Sequence, residues 1–137
     1  MNLSDLLRSS GRESEAETTL REGLKRNTAA AALREALGLS LVRQGRKREA
    51  LVEFSAAHRA APAEPRFRYV YALSLDDAGR RSDARRLLED GLQRRFDRDS
   101  LLTLAAWARQ EGDRAAEARA LVRLREVNPS DPALNGV

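Results

Sequence analysis

Gly11, Gly45 and Gly79 stand 34 residues apart, and theirs is one of four rows that share this interval. Ala16, Ala50, Ala84 and Ala118 form the second row, and Leu20, Phe54, Leu88 and Val122 the third. The small residues Gly23, Ala57 and Gly91 make the fourth. A period of this length marks a stacked supersecondary unit. One copy cannot bury its apolar face alone, so neighbours must nest around a shared interior. Four copies of 34 account for 136 of the 137 residues, which leaves little room for a second architecture.

Each unit reads as two helices. Leu33, Leu37, Gly38 and Leu41 recur at helical spacing, and Gly45 then permits the left-handed backbone of a tight helix–helix turn. Ala50, Leu51, Phe54, Ala57 and His58 form the facing stripe, and Pro62 stops that helix. The next unit repeats the scheme with Phe67, Tyr71, Ala72, Leu75, Gly79, Ala84, Leu88 and Gly91. The small residues sit where paired axes cross, and a side chain larger than Ala there would hold the helices apart.

The last unit is out of step. Gly112 follows Gly79 by 33 residues, while the Pro62/Pro65 pair returns as Pro129/Pro132 at the original distance from its glycine. One residue has therefore been lost before Gly112. The shifted register places Leu101, Leu104, Ala105 and Ala108 on the buried stripe, with Arg109 off it. It also puts Glu117 where alanine is expected, so the final helix is expected to rotate and bury Ala118 and Leu121.

With these residues in one register, the chain resembles the tetratricopeptide repeat (TPR) family over nearly its whole length. Residues 31–64 supply Gly38, Gly45, Ala50, Phe54, Ala57 and Pro62 at the family's small, glycine, alanine, large apolar, small and proline positions. Residues 65–98 supply Ala72, Gly79, Ala84, Leu88 and Gly91, with Phe96 in place of the proline. Residues 1–30 form a truncated repeat, 99–130 the shifted one, and 131–137 the start of a further or capping helix. The resemblance implies an all-α fold, a right-handed superhelix (solenoid) of antiparallel helix pairs, as a single domain over 1–137.

It also implies a place for recognition. In proteins of that family the first helices of successive repeats line a concave groove that binds a protein or peptide. Carried over residue by residue, the groove falls on Ala32, Glu35, Leu39, Val42 and Arg43, then on Arg66, Tyr69, Leu73, Asp76 and Asp77. In the shifted unit it falls on Asp99, Leu102, Ala106, Arg109 and Gln110. Tyr69 flanked by Leu39 and Leu73 is expected to act as an apolar anchor with charges at its rim. Chaperone-binding members hold a C-terminal carboxylate with Lys and Asn, and Glu35, Leu39 and Val70 occupy those sites here. That mode is not expected.

Composition removes other classes. The chain has no cysteine and one histidine, which excludes a disulfide framework, a thiol nucleophile and a Cys/His metal cage. Ser55 and Glu53 lie near His58, but its equivalents in neighbouring units are Leu24 and Leu92, so His58 reads as a packing residue. Asp76 and Asp77 are adjacent on a helix and point apart. No phosphate loop or nucleophile elbow is present, and neither enzyme activity nor a cofactor or metal is expected. The formal charge is +4, and all but Lys25 and Lys47 of the 25 basic residues are arginine. They cluster at 43–48, 80–86 and 94–98, but acids are interleaved and no aromatic platform sits among them, so a nucleic-acid partner is not expected. No run of ~18 apolar residues exists to span a membrane, and the N-terminus lacks a basic stretch followed by an apolar core. The stretch RYVYALSLDDAGRRSDA is similar to repeats near the C-termini of large secreted bacterial multi-haem proteins. The chain has no CxxCH site for a haem, and cytoplasm and periplasm both remain open.

The ends carry one further expectation. Repeat arrays need polar caps, and none is evident, which suggests a piece of a longer protein or a homo-oligomer joined through its end repeats. Trp107 takes a position held by Ser40 and Ser74 in earlier units, where the following unit is expected to press. Trp107 and Leu134 are thus expected on an end face, covered by the tail or another chain, or else Trp107 is a terminal core residue under Leu134 and Val137.

Overall fold

The computed structural model describes the backbone of residues 3–135 and the side chains of residues 11–135. Among the described residues seven α-helices follow one another: α1 (Leu3–Arg26), α2 (Ala31–Arg43), α3 (Lys47–Ala60), α4 (Pro65–Asp77), α5 (Arg81–Arg94), α6 (Arg98–Glu111) and α7 (Arg114–Val127). A single 3-10 turn, Pro132–Leu134, comes last, and no strand occurs among the described residues. The chain divides into two compact units, Met1–Ala84 and Arg85–Val137, and the division falls inside α5.

Three hairpin turns share one construction. Gly45, Gly79 and Gly112 have φ of 76°, 81° and 73°, a region that costs glycine little and other residues more. At each, the amide after the glycine donates to the carbonyl five residues back: Arg46 to Leu41 at 2.9 Å, Arg80 to Leu75 at 2.9 Å and Asp113 to Ala108 at 2.8 Å. The matching bonds at Gly112 agree with the residue lost before it. Leu101, Ala105 and Ala108 are buried, Arg109 is exposed, and Leu104 is half-buried.

Gly11 departs from its row. The 34-residue interval predicts a turn there, but α1 runs unbroken through it, and Gly11 is not among the left-handed glycines. A lone exposed glycine costs a helix only about 1 kcal/mol. The first repeat is therefore one helix, not a pair.

In the first unit α1 packs on α2, α2 on α3, and α3 on α4. The interior is Leu24, Leu37, Leu41, Ala50 and Phe54, with Leu20, Leu33, Val70 and Tyr71 packed against it. Arg34 ties three segments together: it donates to Glu53 on α3 at 2.9 Å and to the Thr28 carbonyl in the α1–α2 turn at 3.1 Å.

The interior of the second unit is Leu92, Leu101, Ala105, Ala120, Leu121 and Leu124. Leu121 is buried as expected, but Ala118 is exposed. Leu124, fully buried, sets the rotation of α7 together with Leu121, because two leucines remove more apolar area from water than one alanine. Glu117 turns to Arg109 at 2.6 Å. After α7, Asp131 is 2% exposed, accepts from Arg98 at 2.7 and 2.9 Å, and caps the Ala133 amide at 2.9 Å. Leu134 packs on the same interior, so the tail turns back onto this unit.

Trp107 is buried, in keeping with the terminal-core alternative for this residue. Its relative exposure is 5% within the single chain, so no second chain is needed to cover it. The equivalent Ser40 on α2 is also buried, and its hydroxyl donates to Glu13 of α1 at 2.8 Å. Val137 lies outside the described residues.

Candidate functional site

Within the first unit, α2 and α4 bring the predicted groove positions to solvent in part. Leu39 and Leu73, equivalent residues of the two helices, are each 40% exposed, and Val42 is 42% exposed. Tyr69 is half-buried on α4, one turn before Leu73. Helical periodicity explains the contrast with their neighbours. Leu37, Leu41, Ala72 and Leu75 point inward and are buried, which leaves Leu39 and Leu73 on the solvent-facing side of the same helices.

The charged members of this face are each paired within the chain. Glu35 is buried, and its carboxylate takes both Nε and an Nη of Arg66, with Nε contacts of 2.9 and 3.2 Å. This ties α2 to α4 beside the apolar patch. Arg43 meets Glu13 of α1 at 2.6 Å, Asp76 meets Arg81 at 2.7 Å, and Lys47 meets Asp77 at 3.1 Å. Hydrogen bonds from Arg43 and then from Ser40 hold the Glu13 carboxyl below its ordinary range. Arg21 does the same for Glu17, which also receives Gln44 and Arg46. Glu35 is thus no open groove carboxylate, because it is occupied by Arg66.

Leu102 and Arg109 lie on α6 in the second unit. Leu102 is half-buried against that unit's interior, and Arg109 is held by Glu117. Neither lines the open cavity of about 400 Å³ between α5, α6 and α7 of this unit. Leu92, Leu101, Leu104, Ala108 and Ala120 give the cavity its apolar surface, and Arg85, Glu89, Glu111, Arg119 and Arg123 surround it. Arg85 is neutralised by Glu111 at 2.6 Å, and Arg123 donates to the Leu92 carbonyl. The cavity is not legible in the sequence, where Leu101, Leu104 and Ala108 read as a buried stripe, because only the meeting of three helices leaves space beside them.

His58 is half-buried, with its ring 6.0 Å from that of Tyr71. Burial, and then the charge of Arg68, push its pKa below the ordinary imidazole value. Its Nδ1 is buried with no hydrogen-bond partner among the described residues. A nucleophile–base pair needs a bonded nitrogen oriented by a third group, and this one packs instead. The arginine clusters are likewise engaged: Arg46 with Glu17 and Glu49, Arg80 with Asp83, and Arg98 with Asp131. No helix among the described residues is long and apolar enough to cross a membrane.

No family model matches the sequence, and no curated protein matches it. Solved structures do. The chain is similar to pilF of Pseudomonas aeruginosa at 23% identity and a TM-score of 0.63, covering 90% of this chain and 57% of that one. It is similar to MamA (MSR-1, C2) at 17% identity and a TM-score of 0.65, covering 88% of this chain and 70% of that one. The first of these is a TPR protein and the second is TPR-like. The fold is that of the tetratricopeptide repeat. In its terms α2–α3 and α6–α7 are repeat hairpins. The chain spans a little over half the length of pilF, and likeness at these identities concerns the fold alone.

Proposed function

We propose that the chain is a non-catalytic interaction scaffold, and that the α2–α4 face of its first unit binds a protein or peptide partner. One observation carries this reading. Three of the six large apolar side chains most exposed among the described residues, Leu39, Val42 and Leu73, fall on these two helices at groove positions. Single exposed apolar residues are ordinary on any surface, but a group on equivalent faces of adjacent repeats is not. Half-buried Tyr69 adds an amphipathic ring of the kind that anchors interfaces.

Other readings draw less support. Self-association was expected to run through Trp107 and Leu134, which are buried or packed inside the single chain. Nucleic-acid binding needs arginines free for phosphate, and each of the three clusters is at least partly engaged by carboxylates. Catalysis has no assembled nucleophile, base or oxyanion donor at His58.

Tyr69→Ala tests the proposal. The variant should keep wild-type helix content by circular dichroism and lose most of the partner retained by the wild-type chain. Equal retention would remove the α2–α4 face from the account.

A further inference from the structure

We infer that the segment bound by the α2–α4 face is uncharged and presents aliphatic or aromatic side chains, an inference that deepens the scaffold reading and rests on it. The reason lies in how the face spends its charges. Glu35, with a side chain only 4% exposed, is taken up by Arg66. Arg43 is taken by Glu13, Asp76 by Arg81, and Asp77 by Lys47. No charge that the face presents is left over to complement one on a partner.

A carboxylate or ammonium brought onto this surface therefore faces a loss either way. It must displace an existing partner, leaving that group unpaired, or give up its own water with nothing in return. At Glu35 the loss is greatest, because the group released would be a buried carboxylate. The Lys47–Asp77 pair is the weakest of the set, with both side chains more than half exposed, but it lies a turn beyond Leu73 at the rim. An apolar side chain meets no such penalty. It covers Leu39, Val42 and Leu73, which are already partly in water, and each gains by losing that contact. The paired charges then act as a fence: they set the outline of the apolar patch and turn away charged sequences.

Panning a phage-displayed library of random peptides on the full chain tests this, with Leu39→Asn and Leu73→Asn as controls. Both positions are solvent-facing, and asparagine removes apolar surface without adding charge, so the fold should survive. The expected result is enrichment of peptides rich in aliphatic and aromatic residues and poor in Asp, Glu, Lys and Arg. Their affinity should change less than about twofold between low and high salt, because little charge is screened. It should fall about tenfold or more in the asparagine variants, as loss of a central anchor does. Peptides that depend on Leu39 and Leu73 but carry net charge, with salt-sensitive affinity, would overturn the inferred chemistry and leave the face as a binding site. Peptides indifferent to both substitutions, or no enrichment at all, would overturn the scaffold reading itself.

Discussion

At the residue scale, two glycines do different work. A Cβ at Gly38 would lie within 3 Å of three ring carbons of Phe54, which is itself buried, so Gly38→Ala overpacks the crossing of α2 and α3. We expect a loss of about 1–3 kcal/mol in urea unfolding, part of it restored by adding Phe54→Leu. Gly79 has open space around it but a left-handed backbone. Gly79→Ala should cost about 1–2 kcal/mol, and Phe54→Leu should leave that loss unchanged. Rescue of both or of neither would contradict the assignment. Spacing alone made these glycines legible, because small residues at crossings and turns recur with the repeat. The ion pairs were not. Twenty-one acids interleaved with 25 basic residues allow many pairings, and nothing in the one-dimensional pattern singles out Arg66 for Glu35.

Among the elements, the tail after α7 gives the clearest pH dependence. Asp131 is held at about 2, by Arg98 first and then by the Ala133 amide, against the opposing effect of burial. A folded pKa below the value of ~4 for free aspartate stabilises the fold fully above that pH, and the contribution is lost as pH falls through about 2. The stability gap between wild type and Asp131→Asn should therefore be widest near neutrality and close in acid. A gap that stays constant across that range would show that Arg98–Asp131 pairing does not hold the tail. Elements were legible in proportion to their periodicity. Hairpin α2–α3, with its complete stripe, and the turn at Gly79 follow the reading closely. Helix α1 does not, because a lone exposed glycine costs a helix only about 1 kcal/mol, and Gly11 stays helical. In α7 the shifted spacing predicts burial of Ala118 and Leu121; Leu121 is buried, but Leu124 and not Ala118 joins it in deciding which side faces inward.

For the whole molecule, the reading of a repeat array is supported by two solved TPR or TPR-like structures below 25% identity, where only the architecture is shared. Function is less legible than fold. A periodic core dictates where side chains point inward, whereas the solvent-facing side is free to vary, and the exposure of Leu39, Val42 and Leu73 on neighbouring first helices is what marks one stretch of it. The second unit's cavity offers the natural competing site, with its apolar surface and its ring of Arg and Glu. Amide chemical-shift mapping of the full chain, titrated with a peptide selected on it, compares the two directly. The account predicts perturbations concentrated at Leu39, Val42, Tyr69 and Leu73, with the amides of Leu104, Arg119 and Arg123 unmoved. Shifts confined to the latter, with α2 and α4 silent, would contradict it.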